Sequence, residues 1–138
     1  MVQSSLTHTV WDCTYHIVFI PKYRKKVLYG ECKRELQEIL RELVDHKQGI
    51  EIVEGSMCSD HVHLCLKIPP KYAVSRIMGY LKGKSALMIQ DRLPERRRYA
   101  QKEKAFWARG YYVSTVGVNE AAIRSYIKRQ EEADRMFG

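Results

Sequence analysis

The chain is poor in residues that staple, interrupt or loosen a fold. It has four cysteines, Cys13, Cys32, Cys58 and Cys65, and no two of them form a CxxC pair. That spacing gives no zinc knuckle and no disulfide framework, and it fits free thiols in a reducing cytoplasm. Four prolines and eight glycines are too few for a low-complexity tract. Nothing in the chain reads as a linker to a second domain. No apolar run approaches the roughly 18 residues that a membrane span requires. The first residues, "MVQSSLTHTVWDCTYHIVFI", lack the basic stretch, apolar run and small-residue cleavage site of a signal peptide, so a cytoplasmic protein with no membrane partner is expected. Neither a P-loop nor the Rossmann glycine pattern occurs, so no nucleotide cofactor is expected.

Acidic residues are also short. Asp and Glu number 16 against 24 Lys and Arg, a formal net charge of +8, with a sequence pI near 9.4. A basic domain of this kind suits a polyanion, either nucleic acid or an anionic membrane surface. Hydrophobic residues at 45% and charged residues at 29% describe one folded domain over residues 1–138, large enough to bury its own core.

The hydrophobic pattern orders the elements. Residues 1–12 are polar and read as an arm. "CTYHIVFIP" (13–21) is β-branched and aromatic and stops at Pro21, as a strand does. "KYRKK" (22–26) reads as a basic loop or the start of a hairpin. From Glu31 to His46, Cys32, Leu36, Ile39, Leu40, Leu43 and Val44 recur at helical spacing. "GIEIVEGSMC" (49–58) and "HVHLCLKI" (61–68) are strands joined by a tight Ser-Asp link. "PPKYAVS" opens a second helix, with Gly79 and Gly83 inside it, where a close approach of another backbone or a DNA strand is one use for them. "DRLPERRRYAQKEK" (91–104) is polar, carries a proline and reads as a loop. A last strand is expected over Tyr111–Val116. Gly117 breaks it, Asn119 is the expected N-cap of the last helix, and that helix occupies about 118–137. The order β-α-β-β-α-β predicts an α+β, ferredoxin-like antiparallel sheet with helices on one face. The seventh element, the C-terminal helix, must cover the open face or leave the domain.

Side chains two apart on a strand share a face. Val62, Leu64, Leu66 and Ile68 then form an apolar face for the helices, and His61, His63, Cys65 and Lys67 form the other. Two parallel imidazoles are close enough to bind one metal ion. A pair of half-exposed histidines on a wet face is the plainer alternative. A zinc site using Cys58, His61, His63 and Cys65 is a third, although Cys58 must be brought to the same side.

The last helix places Ala122, Ile123, Tyr126, Ile127, Gln130 and Ala133 on one stripe and Arg124, Lys128 and Glu131 away from it. Gln130 thus sits mid-stripe, a poor place for an unpaired amide, and Tyr126 is its neighbour one turn earlier. Taken alone, a boundary tyrosine and a loop-bonded glutamine account for both.

Five segments in order, "YHIVFIPKYRKKVL", "DHVHLCLKIPP", "IMGYLKGKSA", "FWARGYYVSTVG" and "IRSYIKRQ", resemble the small single-tyrosine HUH transposases of bacterial insertion sequences. In that name HUH is His, hydrophobic residue, His, here His61-Val62-His63. The resemblance runs from about Trp11 to Glu132. It implies a transposase that cleaves and rejoins single-stranded DNA through a 5′-phosphotyrosine. Tyr126 is the implied nucleophile, on the C-terminal helix, and His61, His63 and Gln130 are the implied ligands of Mg²⁺ or Mn²⁺. It further implies a homodimer, with one subunit's tyrosine helix able to complete the other's site, and a DNA end recognised through a subterminal hairpin. Gly117 is the expected hinge of that helix. Lys22, Tyr23, Arg24 and Lys25 suit a phosphate clamp with base stacking, joined by Lys82, Lys84 and Arg109. Trp107 is expected in the core. His16, Asp60 and Cys65 are candidates to support the histidine pair. The rival readings are a domesticated or replication-initiating relative, a non-catalytic ferredoxin-like nucleic-acid binder, and a zinc-stabilised structural domain.

Overall fold

A computed structural model of the chain describes the backbone of residues 4–6, 9–115 and 119–137, and the side chains of residues 11–115 and 119–134. Strands β1 (Ser4–Leu6) and β2 (Thr9–Trp11) pair as a small antiparallel ribbon. The stretch expected to be an arm is thus largely a hairpin. Strand β3 (Thr14–Phe19) leads to a 3-10 turn (Lys22–Arg24) and helix α1 (Gly30–Asp45). Next come β4 (Glu51–Cys58), β5 (His61–Lys67) and α2 (Val74–Arg92). Helix α3 (Pro94–Glu103), β6 (Tyr112–Ser114) and α4 (Glu120–Phe137) complete the chain.

The main sheet is antiparallel in the order β4-β5-β3-β6, as a ferredoxin-like β-α-β-β-α-β path requires. Alternation sorts its side chains. Ile17, Phe19, Met57, Val62, Leu64 and Leu66 join Leu36, Ile39 and Leu40 of α1 and Ile77, Met78 and Leu81 of α2 in one buried cluster. Each such large side chain contributes about 1.5–3 kcal/mol by leaving water.

Strand β4 reaches this face by a bulge. Ile52 pairs with Leu66 and Glu54 with Cys65, leaving Val53 as the extra residue. One added residue inverts the alternation. Ile52 and Met57 therefore both face the core side, while Glu54, Ser56 and Cys58 face the other.

Two further expectations are corrected. Residues 94–103 form a helix, not a loop. Pro94 stands in its first turn, where its missing N–H costs nothing. Glu95 follows in that turn and Lys104 ends the helix in the left-handed conformation. Arg96 fastens α3 by donating from Nε and Nη2 to the Val27 carbonyl at 3.1 and 2.7 Å. The last strand is also shorter than Tyr111–Val116. Val116 and the expected hinge Gly117 lie outside the described residues.

The remaining elements follow the sequence closely. Asn119 accepts the Ala122 N–H at 3.0 Å and caps α4. Trp107 is core, donating to Ser85 at 3.0 Å. Gly79 and Gly83 face open space, with nothing among the described residues within 4 Å of a Cβ at either. Among the described residues they serve no close backbone approach. No helix among the described residues is long and apolar enough to cross a membrane.

Candidate active site under the C-terminal helix

Helix α4 covers the open face of the sheet rather than leaving the domain. Ile123, Tyr126 and Ile127 pack on Val18, Ile20 and Ala108, with Tyr112 alongside. Val18 stands opposite His63, and His16 opposite Cys65. One part of the open face is therefore greasy enough to hold a helix, and the part beside it is a cluster of imidazoles.

Beneath the first turns of α4 lies a cleft of about 300 Å³ lined by Ser56, His61, His63, Glu120, Ile123, Arg124 and Ile127. Both histidines open into it. Asp60, in the link between β4 and β5, sits 2.9 Å from His61 Nδ1. A carboxylate only accepts, so Nδ1–H is the donor, and in the neutral ring Nε2 keeps its lone pair. Burial alone would push the Asp60 carboxyl up, but hydrogen bonds from His61 and Arg24 outweigh it and the net shift is downward. His63 is pushed below its ordinary value, first by burial and then by the charges of His16 and His61, with Glu54 opposing. Its Nε2 is buried and has no hydrogen-bond partner among the described residues. A buried, unspent ring nitrogen costs about 1–3 kcal/mol. Two imidazoles, each with a nitrogen to spare in its neutral form, fit a divalent cation, and such neutral ligands leave it its full charge.

The third implied ligand is not among the residues that line the cleft. Gln130 is half-buried, and its Nε2 lies 3.2 Å from where a Cβ on Gly110 would stand. Neither Gln130 nor Tyr126 lines the histidine cleft. Tyr126 is 7% exposed. Burial, helped by the charge of Asp134, raises its phenol well above the usual value, and Gln130 eases the shift. No well-formed hydrogen bond from a described residue closes on the hydroxyl all the same. Within one chain the fold thus puts His61 and His63 in the cleft and Tyr126 in the packing of α4 on the sheet, with Ile123 and Ile127 shared by both.

The basic residues divide. Lys25, Lys84 and Arg109 are exposed. Lys22 is 9% exposed and lies 3.4 Å from Asp134. Lys82 donates to the carbonyls of Ala108 and Gly110 at 2.7 and 2.6 Å. Burial brings its pKa down to about 8, with Asp134 opposing. Arg24 spans Asp60 and Glu131 at 3.0 and 3.2 Å, and Tyr23 donates its backbone N–H to Asp134 at 2.7 Å. Much of "KYRKK" therefore grips α4, where a loop of free cations was expected.

Glu131 and Asp134 were not singled out by the sequence. Two signals pointed at them. Asp134 falls on the Ile127–Gln130 side of the helix, and acidic groups near a helix C-terminus oppose its dipole unless cations answer them. Arg124, placed away from the stripe, lines the cleft. As for zinc, Cys58 does face the open side opposite His61. Yet no three His, Cys, Asp or Glu side chains converge on a metal position among the described residues.

Fold and face together define a class: a ferredoxin-like domain with a histidine pair capped by a tyrosine-bearing helix. Residues 9–130 match the family model described as Transposase IS200 like, and the chain belongs to that family of transposases. It is 50% identical over 134 residues to the Transposase for insertion sequence element IS200 of Salmonella typhimurium, covering 97% of this chain and 87% of the relative. A crystal structure of a candidate transposase from Deinococcus radiodurans superposes with a TM-score of 0.84 at 30% identity, over 92% of this chain and 97% of that one. The fold is shared as well by a REP-associated tyrosine transposase bound to a REP hairpin, with a TM-score of 0.55 at 13% identity, over 90% and 68% of the two chains.

Proposed function

We propose that this transposase cuts and rejoins single-stranded DNA, with Tyr126 as the nucleophile and a divalent metal, Mg²⁺ or Mn²⁺, at His61, His63 and Gln130. The observation that carries the reading is the buried Nε2 of His63, unpartnered among the described residues, beside a His61 ring whose Nδ1 Asp60 holds. A divalent ion there would polarise the scissile phosphate and offset the charge that builds up during displacement. Arg124, at the same cleft, is suited to steer a phosphate into it.

The Tyr126 oxygen attacks phosphorus and the bond from phosphorus to the 3′ oxygen breaks. The phenol proton is lost, and the leaving oxygen is protonated to a free 3′-OH. The phosphotyrosine keeps the ester, so a second 3′-OH can reverse the step on another strand without an external energy source.

The buried hydroxyl sets a condition on this chemistry. Tyr126 reaches a phosphate over the histidines only after α4 shifts, or where a second copy supplies its helix. A homodimer that exchanges these helices meets the condition and is the proposed assembly. Hairpin-bearing ends are the DNA to test first, alongside unstructured strands. The separation of Tyr126 from the cleft favours one other reading, a nucleic-acid binder that does no chemistry.

The test uses labelled single-stranded DNA carrying candidate element ends, with Mg²⁺ or Mn²⁺, on a denaturing gel. A covalent adduct that disappears with chelator and in Tyr126→Phe is expected. Cleavage that survives Tyr126→Phe overturns the nucleophile, and tight binding without any adduct favours the binder.

A further inference from the structure

Arg24 connects two parts of the molecule that are far apart in sequence. Its Nε donates to Asp60 Oδ2 at 3.0 Å, and its Nη1 donates to Glu131 Oε2 at 3.2 Å. The other oxygen of the same Asp60 carboxylate accepts from His61 Nδ1 at 2.9 Å. A continuous polar path therefore runs from the residue after Gln130, on α4, to a ring on β5. The backbone is bent to make it. Tyr23 and Arg24 both hold left-handed φ angles, 58° and 54°, which side chains other than glycine adopt only when their surroundings impose it. Two contacts impose it here. The Tyr23 N–H is held by Asp134 at 2.7 Å, and the Arg24 N–H is held by the Pro21 carbonyl at 2.9 Å.

The division of labour among these residues is informative. Asp134, with Lys22 and the Tyr23 N–H, moors the end of α4. Arg24 adds little mooring, since its side chain is 39% exposed and ion pairs so wet are weak. What it adds is direction. A neutral imidazole in water exchanges its proton between both nitrogens. A carboxylate fixed at Nδ1 selects the tautomer with the Nε2 lone pair free, and it raises the basicity of that nitrogen. Asp60 is fixed only while Arg24 stays in place, and Arg24 is oriented by Glu131 only while α4 is seated.

We propose that Arg24 is a positioning residue that couples the seating of the tyrosine helix to the tautomer and orientation of His61. Seating α4 completes the Glu131–Arg24–Asp60–His61 path and presents Nε2 of His61 toward the cleft. Lifting α4 removes one arm of Arg24 and frees the ring. Coupling of this kind is reciprocal, so whatever binds the histidines also holds the helix down. The metal half of the consequence rests on the proposed function, whereas the tautomer half does not.

The experiment uses the full chain with ¹⁵N-labelled histidine, and His61→Gln assigns the His61 signals. Long-range ¹H–¹⁵N spectra read the tautomer, and Mn²⁺ titration followed by electron paramagnetic resonance reads affinity. The variants are Arg24→Gln, Arg24→Lys and Glu131→Gln, with Lys128→Gln on the exposed side of α4 as the control. Wild type is expected to hold the Nδ1–H tautomer. Glu131→Gln, which does not touch Asp60, is expected to shift His61 toward Nε2–H and weaken Mn²⁺ about 5-fold or more. Arg24→Gln is expected to weaken it about 10–100-fold. Arg24→Lys should rescue only in part, because an ammonium lacks the fork that spans two carboxylates. Lys128→Gln should match wild type.

A wild-type tautomer and wild-type affinity in both Arg24→Gln and Glu131→Gln would overturn the coupling. If wild type binds no Mn²⁺ while the tautomer still shifts in these variants, the coupling stands and the metal reading falls. Should Arg24→Gln fail to fold, Glu131→Gln decides the matter, since it keeps the shape of the side chain and leaves the moorings at Asp134 untouched.

Discussion

The two faces of one sheet have opposite characters. On the face toward α1 and α2, alternate residues of three strands are apolar and buried, and the polar groups that enter are met, as Ser85 and Trp107 meet each other. On the face toward α4, Val18 and Ile20 share the surface with His16, His61 and His63. Among the described residues four buried polar side-chain atoms lack a partner, and three of them, on His16, His63 and Tyr126, sit there. A sheet face kept for stability alone would not retain them, because each unmet group costs about 1–3 kcal/mol. The first face is built to hold the fold. The second gives up stability to keep nitrogens and a hydroxyl available.

Substitutions can break or sharpen that contrast. The largest effect is expected from Tyr126→Phe, which should abolish the covalent DNA adduct while leaving the urea midpoint unchanged or raised, since a hydroxyl with no well-formed partner among the described residues is replaced by the same apolar shape. A clear loss of stability would place Tyr126 with the first face instead. Asp134→Ala comes next. It strands Lys22 and the Tyr23 N–H, and breaking a buried pair costs about 3–5 kcal/mol. Equilibrium unfolding measures the loss, and hydrogen exchange should show α4 released first.

Leu66→Ala on the packed face should cost about 2–5 kcal/mol and act on the whole cooperative transition, with no preference for α4. The smallest effect concerns pH. The Asp60 carboxyl is lowered in the folded state from an ordinary value of 3.8, so its contribution is present above that value and is lost as pH falls through the lower folded one. Unfolding midpoints of wild type should therefore drop across that acid window more steeply than those of Asp60→Asn. Parallel curves would mean that the Asp60 contacts add nothing to stability.

The two faces were also unequally legible in the sequence. The packed face could be read from periodicity: alternation at 61–68 and helical spacing at 31–46. The resemblance of five motifs then pointed to the transposase family, which the matched relatives bear out. Two things escaped. Pro94 and a run of charges looked like a loop, because a proline that breaks a helix and a proline that begins one are the same letter. "KYRKK" looked like a free cationic loop, because no local pattern reveals that Asp134 and Glu131 will stand beside it.

Spacing by itself therefore determined which residues of each strand and helix share a side, since that depends only on the local repeat of the backbone. It put His61 next to His63 and Tyr126 next to Gln130. Only the tertiary structure decided how those two pairs stand to each other. The helix settles where Val18 and Ile20 offer apolar contact and where Asp134 finds Lys22 and the Tyr23 N–H. Those contacts are long-range, and they leave Tyr126 buried and Arg24 bridging to His61 through Asp60.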